Sequence, residues 1–567
     1  MKPTSRNLLL GLLLLICAGT LLTIIGLTHF HTKGEPREAI VAVSMMQTDN
    51  WVLPENNGGD IAYKPPMFHW LIVATSVIFN GGTVNEYTSR FPSALAAIAI
   101  AITMFLFYSK RTNNNHTAFL SALLFLSAFE VHRGATAARV DMVLTAFIVL
   151  ALFALYLWYE KGAKGFPLWA VLCMSAATLT KGPVGIVLPC LVTGVFMLLR
   201  REPFWRTCGK FVVIAVASCI LPAVWYYAAY RQGGENFIAL VVEENFGRFT
   251  GTMSYKSHDA PPFYYLYITL AGFLPWTLLV LFSLFALPYS RLKIKGVSIF
   301  KAIKEKIDRM DTVRLFSATA ILVILFFYLI PESKRSVYIL PVYPFIAYFL
   351  AEYMGYLATC HRNVWRAFGI VLSTLAGIFA VLFVALKCGW GTELLPADLQ
   401  PYIVASWNFW DVVCLLVLVI FIYGLFKSKD IQSSRNRYAY SAIALFFWLQ
   451  IIADTAVLPD ILNVKSDYTL AQKVKETVPQ GNIYSYVSVP MLHFFVINFY
   501  TDNRVVMFET EQPDEGYLLV GKGDSAYILS RYAGDYRFEE MWESERRGND
   551  IRDIVCMYRF RREKETE

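Results

Sequence analysis

Long apolar segments recur along most of this chain, and they constrain its fold more than any other feature. A helix needs about 20 apolar residues to cross a bilayer. The 567 residues are 56% hydrophobic and only 17% charged, a balance that would not keep a soluble domain in solution. The sequence therefore predicts an all-α polytopic membrane protein. We expect about thirteen transmembrane helices, near residues 7–28, 90–108, 117–132, 140–158, 166–179, 183–199, 211–230, 263–288, 315–330, 336–358, 367–386, 409–426 and 438–458.

Two of the apolar stretches are atypical. The run 7–30 follows Lys2 and Arg6 and is similar to a signal peptide, but it is long for one and has no clear cleavage site, so we expect a retained first helix. The stretch 65–79 is short and begins with two prolines, which favours a juxtamembrane or re-entrant helix.

Lysine and arginine are concentrated in one set of loops, which indicates the orientation. Cytoplasmic loops carry the excess of positive charge, so we expect the N-terminus inside and, with an odd number of spans, the C-terminus outside. The loops assigned to the cytoplasm hold Lys2/Arg6, Lys110/Arg111, Lys161/Lys164, 200–210, 291–314, Arg362/Arg366 and 427–437.

The last hundred or so residues are more polar than the rest. They contain short β-type runs and one helical stretch, 466–478, that begins with a serine cap. We therefore predict a membrane domain at 1–461, with an outer juxtamembrane loop at 29–89, and a small soluble α/β domain at 462–567. This tail has no glycine-rich phosphate loop and no nucleophile motif. The β-type runs are 483–489, 494–500, 504–508, 517–520, 526–530 and 554–560.

The loops on the outer side should be poor in positive charge, and they are not. A ring of cations at a membrane surface is suited to an anion such as phosphate. The alternative is that these cations only pair with nearby acids such as Glu35, Glu38, Asp141, Glu243, Glu244 and Glu332. The outer cations are Lys33, Arg37, Lys64, Arg90, Arg133, Arg139, Lys181, Arg231, Arg248, Lys256, Lys334 and Arg335. The net charge of +8 is modest, and we expect membrane lipids rather than nucleic acid as partners.

Five outer pieces concentrate these charges: 33-KGEPREA-39, 63-YKPPMFHWL-71, 133-RGATAARVDMVLT-145, 180-TKGPVG-185 and 331-PESKRSVYILPVYP-344. In the first, Lys33, Glu35, Arg37 and Glu38 form either a solvated helix flank or the floor of a site. In the second, the prolines after Lys64 fix that lysine at the start of a helix.

The other three pieces lie at the ends of apolar helices. Asp141 is costly there unless it is paired or used, and an Arg139–Asp141 surface pair is the alternative. Lys181 precedes Gly-Pro, which ends a helix and should leave backbone N–H groups for an anion. Lys334 and Arg335 adjoin a span, with Tyr338 one turn inside it.

Metal binding is one further hypothesis. His258 could ligate a divalent metal together with Asp259 or Glu35. A lone histidine in a loop is more often a hydrogen-bonding residue. The nine cysteines are scattered without a CxxC pair and predict neither a disulfide framework nor a zinc site.

Taken in order, the five pieces resemble the membrane glycosyltransferases of the GT-C class, in the branch of aminoarabinose transferases and protein mannosyltransferases. The matching segments are 34-GEPRE-38, 63-YKPP-66, 141-DMVL-144, 180-TKGP-183, 258-HDAPPFYY-265 and 333-SKRSVYILPVYP-344. The resemblance implies a GT-C fold with a periplasmic C-terminal domain, in a bacterial inner membrane. It also implies inverting transfer of a sugar from a polyprenyl-phosphate donor to lipid A, a protein or another glycan.

The resemblance also implies roles for individual residues. Glu35 and Asp141 would be the catalytic acids, with Glu35 the first candidate for the general base. Phosphate would be bound by Arg37, Lys64, Arg139, Lys181, Lys334, Arg335 and Tyr338. Two positions depart from the family pattern: Gly34 replaces its first acid, and Tyr63 replaces a glutamate that joins the histidine in some metal-binding relatives.

Two other functions use similar features. A flippase or transporter for anionic lipids would need the same cations. Transporters usually show inverted repeats and interrupted helices at mid-membrane, whereas here the charges lie at one face only and no repeat is visible. An O-antigen-type ligase or polymerase would also use lipid-linked donors, but the KPP and TKGP pieces favour the transferase.

Overall fold

The computed structural model describes residues 5–247, 250, 260–286, 299–394, 400, 406–428, 437–489 and 492–563. His258 lies outside these ranges, so the metal hypothesis that rests on it has no structural description. The described residues divide into two compact units, and each is considered by itself.

The first unit comprises Met1–Thr23, Ser93–Leu382 and Asn408–Ile452, and it is helical. Its α-helices are Arg6–Cys17, Glu86–Thr112 from Ser93 onward, Asn115–Ser127, Phe129–Ala135, Val140–Glu160, Leu168–Lys181, Val184–Leu199, Phe204–Val242, Tyr264–Gly272, Trp276–Leu284, Ile299–Arg309, Thr312–Leu329, Tyr343–Cys360, Arg362–Lys387, Phe409–Ser428 and Arg437–Ile452. A 3₁₀ helix, Ser336–Val342, precedes Tyr343–Cys360, and π-helical turns occur at Ala18–Leu22 and Glu243–Gly247.

Several helices have the length and composition of membrane spans, as predicted. Within the described ranges seven helices qualify, or up to nine if each of two bent pairs counts as one span. Five shorter apolar helices, Arg6–Leu22, Met67–Asn80, Leu168–Lys181, Val184–Leu199 and Phe409–Leu425, coincide with other predicted segments. The mainly helical membrane fold is therefore confirmed, and the count of thirteen stays a prediction.

The predicted span 263–288 is wrong as a single helix. The chain there forms Tyr264–Gly272 and Trp276–Leu284, bent by 109° at the break. Pro275 stands at the start of the second helix, and proline disfavours helical geometry in the residue before it. The predicted span at 117–132 is likewise broken, with a bend of 69° between Asn115–Ser127 and Phe129–Ala135.

The TKGP turn joins two helices that pack backbone against backbone. Gly182 has φ of 108°, and a Cβ there would lie 2.7 Å from Asn245 Oδ1. A Cβ on Gly185 would lie 2.5 Å from the amide nitrogen of Thr178. Glycine is therefore required at both positions, the first for its backbone conformation and the second for the close approach. The turn places Lys181 at the C-terminal end of its helix.

Two N–H groups of this turn, those of Gly182 and Gly185, are not available to an anion, contrary to the sequence-based expectation. The Gly182 N–H donates to Thr178 O at 2.8 Å, and the Gly185 N–H donates to Gly182 O at 3.1 Å. Both bonds close the helix ends, where unpaired backbone groups would otherwise be costly.

The second unit comprises Ile24–Pro92, Phe383–Trp407 and Ala453–Glu567. Its helices include Gly34–Thr48, Met67–Asn80, Leu458–Lys465, Tyr468–Thr477, Phe495–Tyr500, Phe508–Glu511 and Lys522–Arg531. A short hairpin pairs β1 (Glu55–Asn56) with β2 (Asp60–Ile61). The remaining strands are β3 (Ile483–Tyr486), β4 (Val505–Met507), β5 (Glu515–Gly521), β6 (Tyr536–Arg547) and β7 (Ile554–Arg562).

Strands β3–β7 form one mixed sheet in the order β4-β3-β5-β7-β6. β3 is parallel to β4 and β5, whereas β7 is antiparallel to β5 and β6. Alternating residues supply two apolar layers: Leu519 packs in a cluster with Val474 of helix Tyr468–Thr477, and Leu518 in a cluster with Ile528 of helix Lys522–Arg531. The predicted small α/β domain is confirmed.

Two local predictions in this domain are wrong, and one strand was not predicted. The runs 494–500 and 526–530 lie in the helices Phe495–Tyr500 and Lys522–Arg531, because a short apolar run does not distinguish strand from buried helix. Strand β6 was missed because it is rich in charge, which is typical of an edge strand.

One buried acid makes the stability of this unit depend on pH. Burial, with a contribution from Asp467, raises the pKa of Asp550 to about 8, although the Val496 N–H bond and the charge of Lys33 oppose this. Between about pH 4 and pH 8 the folded protein keeps a proton that the unfolded chain has released. Stability therefore falls as pH rises through this interval, by up to about 1.4 kcal/mol per pH unit.

Asp550→Asn should reduce this pH dependence. We expect the Tm of the full-length protein in detergent to fall less between pH 5 and pH 8 in the variant than in the wild type. Asp514→Asn, at a side chain 86% exposed, is the matched control and should behave like the wild type. An equal loss of Tm in Asp550→Asn and the wild type would contradict the prediction.

Candidate functional site

The predicted site residues fall into two sets, one in each unit. Glu35, Arg37 and Lys64 lie in the second unit. The first unit holds the other six, which are Arg139, Asp141, Lys181, Lys334, Arg335 and Tyr338.

In the first unit, Asp141 and Lys181 form an ion pair between two helix ends. Asp141 lies in the first turn of helix Val140–Glu160 and is 9% exposed. Lys181 is the last residue of helix Leu168–Lys181, and its Nζ donates to Asp141 Oδ1. The same Nζ lies 4.2 Å from the centroid of the Tyr338 ring, a cation–π distance. Three predicted residues from three separate sequence motifs therefore meet.

Two arginines add positive charge around this pair. The charges of Arg139 and Arg335 both act on the Asp141 carboxylate, in addition to that of Lys181. Ser93 Oγ donates to the Arg139 carbonyl at 3.2 Å and fixes the backbone before Asp141. Asp141, Lys181, Tyr338, Arg139 and Arg335 are called the aspartate–lysine cluster below. Its three cations outnumber its single carboxylate, so its charge is suited to an anion.

Lys334 has a different environment. It is 7% exposed, and its Nζ donates to the Pro331 carbonyl at 2.7 Å. This bond closes the turn that precedes the 3₁₀ helix Ser336–Val342, which carries Tyr338.

In the second unit, Glu35 is paired with a buried arginine. Arg90 Nε donates to Glu35 Oε1 at 2.7 Å, and Arg90 Nη2 donates to Oε2 at 3.3 Å. Arg90 Nη1 also donates to the carbonyls of Ile25 at 2.9 Å and Thr28 at 2.7 Å. Glu35 and Arg90 are 3% and 2% exposed, so the pair is inside the unit.

Glu38 lies on the same helix and is surrounded by donors. Its Oε1 accepts from Lys64 Nζ and lies 3.7 Å from Arg37 Nη2. Its Oε2 accepts from His69 Nε2 at 3.0 Å. Glu38, Lys64, His69 and Arg37 are called the glutamate cluster. Burial pushes the pKa of the Glu38 carboxyl upward, but Lys64, His69 and Arg37 outweigh it and hold that pKa well below its usual range.

Sequence reasoning did not assign His69 or Arg90 to the site, and it gave Glu38 no role of its own. Arg90 appeared only among the outer cations, and Glu38 only as a pairing acid and as one of four charges that form either a solvated flank or the floor of a site. The partners of these residues are 55 and 31 positions away along the chain, so no short-range spacing identifies them. The one signal in the sequence is that Glu38 follows Gly34 by one helical turn.

No metal site is visible in the part of the chain that the structure describes. There, no group of three or more His, Cys, Asp or Glu side chains is placed to hold a metal ion. The hypothesis of a divalent metal at His258 therefore stays a prediction.

Known proteins similar to this chain were found in sequence and in structure. A family model described as dolichyl-phosphate-mannose-protein mannosyltransferase matches residues 63–227, the part that holds Lys64, Asp141 and Lys181. An uncharacterized protein of Aquifex aeolicus is 27% identical over 496 residues, which are 86% of this chain and 86% of that protein. The undecaprenyl phosphate-alpha-4-amino-4-deoxy-L-arabinose arabinosyl transferase of Shewanella sediminis is 24% identical over 455 residues, which are 77% of this chain and 74% of that enzyme.

A solved structure has the same fold. The crystal structure of ArnT from Cupriavidus metallidurans bound to undecaprenyl phosphate superimposes with a TM-score of 0.68. The match covers 97% of both chains at 18% sequence identity, so it establishes the fold.

Proposed function

We propose that this chain moves a sugar from a polyprenyl-phosphate donor to an acceptor. The premise is that the chain is a membrane glycosyltransferase of the GT-C class and of the aminoarabinose-transferase-like type. The donor is a polyprenyl phosphate carrying a sugar such as aminoarabinose. The acceptor is lipid A, a protein or another glycan, and the transfer inverts the anomeric carbon. The reaction takes place at the periplasmic face of the inner membrane.

The observation that supports this function best is the aspartate–lysine cluster. Its cations lie at the ends of membrane helices, where a lipid-linked substrate presents its phosphate. A lipid phosphate leaving group gains negative charge as its bond to the sugar breaks, and preorganised cations stabilise that charge. No nucleotide is needed, because the polyprenyl phosphate is the leaving group.

The cationic residues receive phosphate-binding roles. Lys64 and Arg37 are accessible, with side chains 27% and 43% exposed, and we assign them to the phosphate of the donor. The Lys181 side chain is also 27% exposed, and we assign it with Arg139, Arg335 and Tyr338 to binding substrate phosphate. Lys334 supports this second set by holding the turn before Tyr338.

Asp141 and Glu35 are the catalytic acids proposed from the sequence. Lys181 Nζ donates to Asp141 Oδ1, and this contact orients both side chains for substrate. Both oxygens of Glu35 contact Arg90. A role for Glu35 as general base therefore requires one of these contacts to open during the reaction.

The organisation of the chain in the membrane is part of the proposal. Residues 1–461 form the transferase domain with its outer loop at 29–89, and residues 462–567 form the periplasmic domain. The N-terminus is cytoplasmic. The lysine and arginine content of the loops supports this orientation.

Sugar transfer in detergent tests the proposal. Purified full-length protein in micelles is incubated with undecaprenyl phosphate carrying a ¹⁴C-labelled sugar and with a membrane extract that supplies acceptors. We expect label to move from the donor to an acceptor. Because micelles have no second leaflet, a flippase would leave the donor intact, and that result would contradict the proposal.

A further inference from the structure

We propose that Glu38 is the catalytic base, and that the donor phosphate activates it by taking Lys64 and Arg37 away from its carboxylate. This inference rests on the proposed function and identifies the acceptor group as a hydroxyl. Before the donor binds, the Glu38 carboxylate is the counter-ion of Lys64 and Arg37. After the donor binds, its phosphate is the counter-ion of these two side chains.

The residues of the glutamate cluster differ in exposure, and this difference decides which of them an incoming phosphate reaches first. The Glu38 side chain is 7% exposed and that of His69 is 1% exposed, whereas the side chains of Lys64 and Arg37 are 27% and 43% exposed. The cations are therefore at the accessible side of the cluster, and an incoming phosphate meets them before it meets the carboxylate. The phosphodiester of the donor carries one negative charge, as a carboxylate does, and this charge approaches two as the sugar leaves, so the phosphate competes with Glu38 for both cations.

The position of Glu38 on its helix suits it to replace an absent acid. The resemblance to GT-C transferases implies an acid at the position that Gly34 occupies here. Residues four positions apart lie on the same face of a helix, one turn from each other. Glu38 is four positions after Gly34 in helix Gly34–Thr48, so its carboxylate is on the face from which that acid would project. Glu35 is held by Arg90 instead.

The electrostatic balance at Glu38 explains why donor binding would activate it. Three groups in contact with it, Lys64, Arg37 and His69, lower its pKa, and burial alone raises it. When the phosphate draws the two cations away from the carboxylate, the influence of burial is less opposed and the pKa of Glu38 rises. A carboxylate with a higher pKa is a stronger base. Glu38 thus becomes basic only when the donor is in place.

The proposed step is balanced in atoms and electrons. A hydroxyl of the acceptor gives its proton to a carboxylate oxygen of Glu38, and its oxygen forms a bond to the anomeric carbon. The bond from that carbon to the phosphate oxygen breaks, and its electron pair leaves with the polyprenyl phosphate, which Lys64 and Arg37 hold. With its proton on Nε2, His69 donates to Glu38 Oε2 and is a positioning residue.

Glu38→Gln separates binding from catalysis. The variant removes the charge that competes with phosphate but keeps the size of the side chain. We expect undecaprenyl phosphate to bind about two- to fivefold more tightly, because one partly exposed ion pair changes a binding constant by about this factor. We expect sugar transfer to fall by about 10²–10⁴-fold, the usual contribution of a general base. Glu352→Gln, whose carboxylate pairs with Arg314 and Tyr348, is the matched control and should change neither quantity.

His69→Phe provides a second readout. Loss of the hydrogen bond from Nε2 raises the pKa of Glu38, so the acidic limb of the pH profile of kcat/KM should move to higher pH. A purely structural His69 would lower the rate without moving this limb. This variant also keeps the inference testable if Glu38→Gln does not fold.

The possible failures are distinguishable. Normal transfer by Glu38→Gln, or weaker binding of undecaprenyl phosphate, would overturn the role of Glu38 while leaving the proposed function intact. An unshifted acidic limb in His69→Phe would overturn it as well. Absence of transfer by the wild-type protein, in contrast, would reject the proposed function itself.

Discussion

Lys181→Met is expected to lower kcat/KM for sugar transfer by about 10²–10³-fold, the effect of removing one preorganised charge-stabilising donor. The substitution keeps the length and apolar stem of the side chain but removes the ammonium that contacts Asp141 and the Tyr338 ring. It leaves the buried Asp141 carboxylate without its closest cation, which adds to the loss of phosphate binding. Initial rates with labelled donor measure the effect.

Lys161→Met is the control for Lys181→Met. Lys161 follows helix Val140–Glu160 at its other end and is exposed, and it belongs to neither cluster. We expect its transfer rate to match the wild type. A Lys181→Met enzyme with a rate within a few-fold of the wild type would show that the aspartate–lysine cluster does not act on the substrate.

Arg90→Met is expected to lower the free energy of unfolding by about 3–5 kcal/mol, the usual cost of breaking a buried ion pair by removing one partner. Glu35 would lose the arginine that pairs with its buried carboxylate, and the carbonyls of Ile25 and Thr28 would lose the Arg90 donor. Unfolding of the purified protein in detergent, followed by intrinsic fluorescence, measures the loss.

Arg561→Met is the matched control, because Arg561 and its partner Glu515 are 82% and 66% exposed. We expect it to change stability by no more than about 0.5 kcal/mol. Equal stability of Arg90→Met and the wild type would contradict a structural role for the pair. Glu35→Gln should also be unstable, so loss of transfer in that variant identifies a base only if its fold is first shown to be intact.

Sequence alone predicted the membrane fold and much of the aspartate–lysine cluster. Apolar runs set the helices, and glycine or proline marks the turns beside Lys181 and Tyr338. Polar residues at such turns lie at the ends of membrane helices, which makes them good candidates for one site.

The pairing of acids with cations could not be predicted in the same way. Sequence spacing identifies neighbours on one helix, but Glu35 meets Arg90 and Glu38 meets His69 through tertiary packing. Glu35 and Glu38 are three positions apart on one helix, yet only the folded chain gives one a buried arginine and the other two accessible cations. The choice of Glu35 as base from the sequence did not take these different partners into account.

The fate of a doubly labelled donor tests the central claim most directly. Undecaprenyl phosphate carrying a ¹⁴C-labelled sugar and a ³²P-labelled phosphate is incubated with the purified protein and acceptor, and lipid and acceptor fractions are separated. We predict that ¹⁴C moves to the acceptor while an equal amount of ³²P remains as undecaprenyl phosphate, because the bond between the sugar and the phosphate oxygen breaks. If both labels stayed together, either on the donor or on the acceptor, the account of this chain as a polyprenyl-phosphate-dependent glycosyltransferase would be contradicted.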